Sequence, residues 1–231
     1  MKNIIDLKGV WKVYRMGEVD VPALRGIDLE IKKGEFLAII GPSGSGKSTM
    51  MNLVGCLDSP TRGKILLDGR DITEFSESEL AQTRGQKIGF VFQQFNLIPT
   101  LTALENVMLP LAFQNVDDAK ARKKAIEILN LVGLKERMKH LPNQLSGGER
   151  QRVSIARALS VDPEVILADE PTGNLDSRTG EFIIEFLGKI HREEKKTIIM
   201  VTHDMNLAKH AEKMVRIKDG QIEKIERRGS S

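Results

Sequence analysis

Gly41-Pro42-Ser43-Gly44-Ser45-Gly46-Lys47-Ser48 fits the pattern G-x-x-x-x-G-K-[ST]. Glycines at this spacing let a loop curl until its backbone N–H groups face one point, which is what a phosphate requires. A helix starting at the end of the loop adds the partial positive charge of its N-terminus. Lys47 is then placed to reach the β and γ phosphates of a nucleotide, and the Ser48 hydroxyl to bind Mg²⁺. A second signal is Val165-Ile166-Leu167-Ala168-Asp169-Glu170. An apolar strand there delivers Asp169, which can hold Mg²⁺ through water, and Glu170, which can polarise an attacking water. An Asp-Glu pair is also what any helix N-terminus attracts; the phosphate loop favours the chemical reading. Leu145-Ser146-Gly147-Gly148-Glu149 predicts another anion site, with a hydroxyl and bare amides ahead of a helix beginning near Glu149. His203 closes an apolar strand, where a neutral imidazole can hydrogen-bond a γ-phosphate and orient Glu170 and water.

These residues need strands and helices to hold them. Ile5, Leu7, Val10 and Val13, then Ile27, Leu29 and Ile31, alternate as in an antiparallel hairpin. Glu35–Ile40 reads as a short strand ending at Gly41, and Met51, Val54 and Leu57 share one face of a helix from Ser48, with Cys56 inside it as a small buried residue. Lys64–Asp68, Lys87–Phe92, Val165–Asp169 and Thr197–Thr202 read as further strands. Helices are expected over 117–132, 150–160 and 177–190, a short one over 206–211, and a closing hairpin around Asp219-Gly220. Strands alternating with helices imply an α/β chain with a mainly parallel sheet covered on both faces. The stretch 95–160 offers helices and no strand, and reads as a helical insert. Ligands on such sheets bind beyond the carboxyl ends of the strands, here Gly41, Gln93, Asp169 and His203.

Composition narrows the class. The chain has 231 residues, 40% hydrophobic and 29% charged, enough for one or two domains with a real core. Lys plus Arg is 35 against 32 for Asp plus Glu, a net charge of +3 that does not advertise a nucleic-acid partner. One cysteine excludes an internal disulfide framework and suits a reducing compartment. The apolar runs Phe36–Ile40 and Val165–Ala168 fall far short of the ~20 residues of a spanning helix. The charged opening residues Lys2, Asp6, Lys8, Lys12, Arg15 and Glu18 do not read as a signal peptide. His140, His191 and His210 show no ligand spacing and are expected at the surface; Trp11 is assigned to packing.

With these motifs in this order, the chain resembles the ATP-binding subunits of ABC transporters, whose signature reads LSGGQ. The resemblance covers nearly the whole sequence. It implies a P-loop NTPase fold of the RecA-like type, with an N-terminal antiparallel β part, within a single domain 1–231. Segments 1–94 and 161–231 would form the nucleotide-binding core and 95–160 the helical part. It implies that Tyr14 stacks on adenine and that the Walker A residues Gly41, Ser43, Gly44, Ser45, Gly46, Lys47, Ser48 and Thr49 hold ATP. Gln93 matches the Q-loop glutamine, which with Ser48 and Asp169 attends Mg²⁺. Asp169 and Glu170 match the Walker B pair, Asn174-Leu175-Asp176 the D-loop, and His203 the switch histidine. Lys47, Glu170 and His203 would carry catalysis. Ser146, Gly147, Gly148 and Asp176 would complete the ATP site of a second copy. Glu149 departs from the fifth signature residue, and Gly173-Asn174 stand where Ser-Ala is commoner.

The run from Gln93 to Val107, with Pro171–Asp176, is similar to ATPases of lipoprotein-release, macrolide-export and cell-division complexes. That implies a homodimer sandwiching ATP, held to a membrane permease on the cytoplasmic face, and export or extraction of a lipophilic or peptide-like substrate. The apolar residues after Gln93 would either line the groove receiving the permease or pack in the core. Two rivals remain: an ABC-type ATPase of DNA repair or translation, which usually carries a long coiled coil or two such domains, and a nucleotide sensor that does not hydrolyse.

Overall fold

Apolar residues at alternate positions close an antiparallel pair at the start of the chain. In the computed structural model, which describes residues 2–228, β1 (Asn3–Met16) pairs with β2 (Val19–Lys32), Ile5 opposite Ile31 and Leu7 opposite Leu29. The strand β3 (Phe36–Ile40) then runs through the glycine-rich loop into α1 (Lys47–Val54). Next, β4 (Arg62–Leu67) and β5 (Arg70–Asp71) return to the first sheet, whose order is β2-β1-β4-β5.

The rest of the chain builds the second sheet. It comprises α2 (Glu77–Lys87), β6 (Ile88–Val91), α3 (Ala103–Phe113), α4 (Asp118–Leu131), α5 (Gly147–Ser160), β7 (Val165–Asp169), α6 (Ser177–Glu194), β8 (Thr197–Val201), α7 (Met205–Ala208), β9 (Lys213–Lys218) and β10 (Gln221–Arg227). Among the described residues the second sheet has six strands in the order β10-β9-β3-β8-β7-β6. All neighbours in it are parallel except β10 on β9.

Burial explains why the central strands are apolar throughout. Every residue of β3 and β8 is buried, so both faces must be greasy. Leu37, Ile39, Ile199 and Val201 point to the core shared with the antiparallel sheet and α1. Phe36, Ala38, Ile198 and Met200 point to the opposite core, under α5 and α6. Each of these side chains larger than alanine contributes about 1.5–3 kcal/mol by leaving water. A third core, Leu104, Val107, Ala125, Leu129 and Val153, joins α3, α4 and α5. Helix α5 belongs to two cores, with Val153 and Ala156 in the helical one and Ile155, Ala158 and Leu159 under the sheet.

The register aligns the strand ends that matter. Val201 lies opposite both Ile39 and Asp169, and Ala168 opposite Val91. Gly41, Gln93, Asp169 and His203, the strand ends that the sequence predicts, therefore leave the sheet along one edge.

Several expectations need correction. Residues 77–87 form α2, which the sequence reading did not include; only Leu80 in it is buried, so no apolar period marks it. Helix α5 starts at Gly147, not near Glu149, and α6 runs on to Glu194. Cys56 lies beyond α1, past the cap Gly55, with φ 54°; it is buried, and burial pushes its thiol up to about 11. His191 is buried, not at the surface. Its ring lies 5.8 Å from that of Phe36 and its Nε2 3.2 Å from Glu212 Oε1. Trp11 is 38% exposed and lies over Gly26.

Candidate active site

The phosphate loop is shaped by what its glycines allow. A side chain at Gly41 would run into the carbonyl of Ile217. Gly46 has φ 103°, and a Cβ there would come 2.6 Å from the carbonyl oxygen of Ala23. Gly46 is also the N-cap of α1, and no side chain caps that helix. Helices α2, α3, α4, α5 and α6 are each capped by a side chain, from Ser76, Thr102, Asp117, Ser146 and Asp176. The first amides of α1 are thus left to an anion, and its first turn contains no acidic residue to repel one. Lys47 is buried and donates from Nζ to the carbonyls of Gly41, at 2.9 Å, and Pro42, at 2.8 Å.

A cleft of about 580 Å³ opens over this loop. Ser43, Gly44, Gly46, Lys47, Ser48, Thr49, Gln93, Asp169, Glu170 and His203 line it together with Ala23 and Val201. Gly41 and Ser45 belong to the loop without lining the cleft; the Ser45 hydroxyl is buried and lacks a partner.

The carboxylates are held differently. Burial raises the Asp169 pKa, and the charge of Glu170 beside it adds to this, while Lys47 acts against it. Glu170 adopts φ 44°, a conformation that costs a non-glycine residue about 1–2 kcal/mol. Its N–H donates to Val201 O at 2.9 Å, which fixes the turn. Glu170 Oε1 lies 2.8 Å from His203 Nδ1, and the Thr202 hydroxyl donates to Oε2 at 3.4 Å. An ionised Glu170 accepts, so Nδ1 carries the hydrogen. A neutral ring has only that one N–H and cannot also donate to a phosphate.

The remaining predicted residues stand apart from the cleft lining. Ser146 caps α5: its hydroxyl accepts from Glu149 N–H at 3.2 Å, leaving its own proton free. Glu149 accepts from Ser146 N–H at 2.8 Å and pairs with Arg137 at 2.9 Å. The Ser146 N–H is the main reason the Glu149 pKa is lowered. Gly147 and Gly148 form the first turn of α5, and a Cβ on Gly148 would strike Thr179 of α6. Asp176 caps α6, accepting from the Thr179 hydroxyl at 2.7 Å, the chief cause of its lowered pKa. Tyr14, on β1, donates its hydroxyl to Asp58 at 2.9 Å, and Lys12 Nζ lies 4.9 Å from its ring centre. The sequence reading missed Lys12, Asp58, Thr202 and Arg137, which only tertiary contact brings to these motifs.

The donor set suits Mg²⁺. Among the described residues no group of three His, Cys, Asp or Glu could cage a metal. The hydroxyl of Ser48, the amide of Gln93 and the carboxylate of Asp169 do line one cleft. Mg²⁺ takes few protein oxygens and completes its shell with phosphates and water.

Known proteins share this architecture. The ABC transporter family profile matches residues 24–173. An ABC transporter ATP-binding protein of Thermotoga maritima is 55% identical over 229 residues, which cover 99% of this chain and 97% of that protein. The macrolide export ATP-binding/permease protein MacB of Syntrophobacter fumaroxidans is 49% identical over 96% of this chain, a match that spans 31% of MacB. A dimeric post-hydrolysis structure of the cassette MJ0796, from Methanocaldococcus jannaschii, bound to ADP and phosphate, superposes with a TM-score of 0.91. It is 51% identical, and the match covers 98% of this chain and all of that one. With its phosphate loop, its acidic strand end and its signature helix in the arrangement described above, the chain belongs to the ABC transporter family as one of its ATP-binding subunits.

Proposed function

We propose that this subunit hydrolyses ATP as a homodimer and so drives a separate membrane permease. The observation that carries the reading is the shared edge of the sheet, where the phosphate loop, Gln93, Asp169, Glu170 and His203 surround one cleft. ATP enters with its phosphates on the free amides of the loop and of α1. Lys47 turns from the Gly41 and Pro42 carbonyls to the β and γ phosphates. Mg²⁺, when bound beside Ser48, Gln93 and Asp169, neutralises charge on the phosphate oxygens. Glu170 accepts the proton of the attacking water, and His203 holds that carboxylate in place. Tyr14 supports adenine, with Asp58 and Lys12 fixing its ring.

The signature residues serve a second copy. Ser146 keeps its proton free while Gly147 and Gly148 leave their amides bare, and none of the three lines the cleft of its own chain. Ser146, Gly147, Gly148 and Asp176 would thus meet the γ-phosphate of the partner. The dimeric MJ0796 cassette supports this reading. The segment 95–160 acts as the helical subdomain, carrying the signature on α5.

Attachment to a permease on the cytoplasmic side of a membrane is supported by MacB, in which a cassette like this one is part of a longer ATP-binding/permease protein. No helix among the described residues is long and apolar enough to cross a membrane. Of the residues after Gln93, Leu97 packs on the helical core, and Ile98, 40% exposed, is free to meet the permease. A separate groove between α2 and α3 is lined in part by Leu109, Pro110 and the exposed Phe113. The relatives favour a transporter over an ATPase of DNA repair or translation, and the Glu170–His203 pair favours hydrolysis over sensing. Phosphate release decides the latter. Wild-type chain should release phosphate from ATP, and Glu170→Gln should slow this by about 10²-fold or more. Equal rates for the two would remove Glu170 from the chemistry.

A further inference from the structure

Gly173-Asn174 is the part of the D-loop that departs from the resembled pattern, and its side of the structure faces Gln93. The Asn174 Nδ2 donates to the backbone carbonyl of Gln93 at 2.8 Å. Gly173 lies under the Gln93 side chain: a Cβ there would come 2.7 Å from Nε2, 3.1 Å from Cδ and 3.2 Å from Cγ. Gly173 does not have a left-handed φ, so glycine is needed here for space and not for backbone freedom. The same turn is tied to the acidic strand end, because Gly173 N–H donates to Glu170 O at 3.0 Å and Leu175 N–H to Thr172 O at 3.0 Å.

Gln93 stands at the start of an irregular segment. Phe95 and Asn96 have φ 60° and 49°, two left-handed residues in succession. Arg157 of α5 holds the carbonyls of both. Asn174 holds the carbonyl of Gln93, two residues earlier. Both Gln93 and Asn174 are exposed. An exposed glutamine has several rotamers open to it, and only fixed neighbours can keep its amide over one place.

We propose that Gly173 and Asn174 form a seat for Gln93. Asn174 fixes the backbone of Gln93, and Gly173 leaves the space in which its amide lies, beside the turn that begins at Glu170. Asn174 is thus a positioning residue that acts through Gln93. The inference rests on the reading of Gln93 as a group that faces the metal and phosphates.

The test has two readouts, both on the full chain. The first is hydrogen exchange of the amides of Phe95 and Asn96 without nucleotide. Asn174→Ala and Asn174→Asp both remove the donor, and Gly173→Ala intrudes from the other side. Each should speed this exchange several-fold while leaving the melting temperature unchanged, because these positions are exposed. Unchanged exchange in all three variants would overturn the seat. The second readout is a double-mutant cycle on kcat/KM for ATP with Mg²⁺. Asn174→Ala should lower it by about three- to tenfold, the range for loss of one hydrogen bond, and should add nothing in a Gln93→Ala background. The same fold-loss in both backgrounds would mean that Asn174 does not act through Gln93. Wild-type rates in Gln93→Ala itself would instead remove the role of Gln93, and exchange would still decide the seat.

Discussion

Asp169 shows how burial at one residue trades stability for chemistry. Its carboxylate is taken partly out of water at the end of β7, with Glu170 beside it, and its pKa is raised from the ordinary 3.8. A carboxyl with a raised folded value binds protons more readily in the folded state. Its contribution to stability is full below 3.8 and is lost as pH rises through the raised value. At neutral pH the ionised group therefore weakens the nucleotide-free fold. Asp169→Asn should raise the melting temperature at pH 7 by a few degrees while hydrolysis is lost. The gain should shrink as pH is lowered toward 4, because the raised pKa lets the wild-type carboxyl take up its proton earlier than an ordinary aspartate does. Calorimetric scans at both pH values check this; a lower melting temperature for Asp169→Asn at pH 7 would contradict it. The motif made Asp169 legible in the sequence. The groups that tune such residues were not, because Thr202 beside Glu170 and Asp58 beside Tyr14 are brought there by strand pairing and loop packing, which no local spacing records.

Single elements are held by polar side chains as much as by apolar stripes. Helix α3 contains Pro110, which removes one backbone donor, and the loop before it contains Pro99. The buried Asn106 ties the loop before α3 to the helix. Its Oδ1 accepts from Ile98 N–H at 2.8 Å, and its Nδ2 donates to the carbonyls of Ile98, Leu101 and Thr102. Asn106→Ala leaves the Ile98 N–H and the Leu101 carbonyl without partners, while the Ile98 and Thr102 carbonyls keep the N–H groups of Leu101 and Asn106; a loss of about 2–3 kcal/mol is expected in urea denaturation. A loss under ~0.5 kcal/mol would mean that water replaces the side chain. Elements with an apolar period were legible: α4 buries Ala121, Ala125 and Leu129 on the expected face. Helix α2 was not, since its surface is mostly polar, although Ser76 and Glu79 form a capping box at its start. The same device explains the misplaced start of α5. Two glycines read as a turn, but Ser146 and Glu149 cap a helix that already includes them.

At the scale of the whole molecule, the two candidate phosphate-binding surfaces belong to different parts of the chain. The cleft sits on the edge of the six-stranded sheet. The signature heads α5, which is packed into both the sheet core and the helical core and cannot shift relative to one without disturbing the other. A movement of the helical part therefore carries Ser146, Gly147 and Gly148 with it. If these residues complete the site of a second copy, bound ATP joins two chains and hydrolysis separates them. Slowing the chemistry must then accumulate the dimer. The direct measurement is light scattering of Glu170→Gln with and without ATP. The mass should double at saturating ATP and return to that of a monomer without nucleotide, and adding Ser146→Arg should keep it monomeric while ATP still binds. A Glu170→Gln chain that binds ATP and stays monomeric at saturation would contradict the shared site.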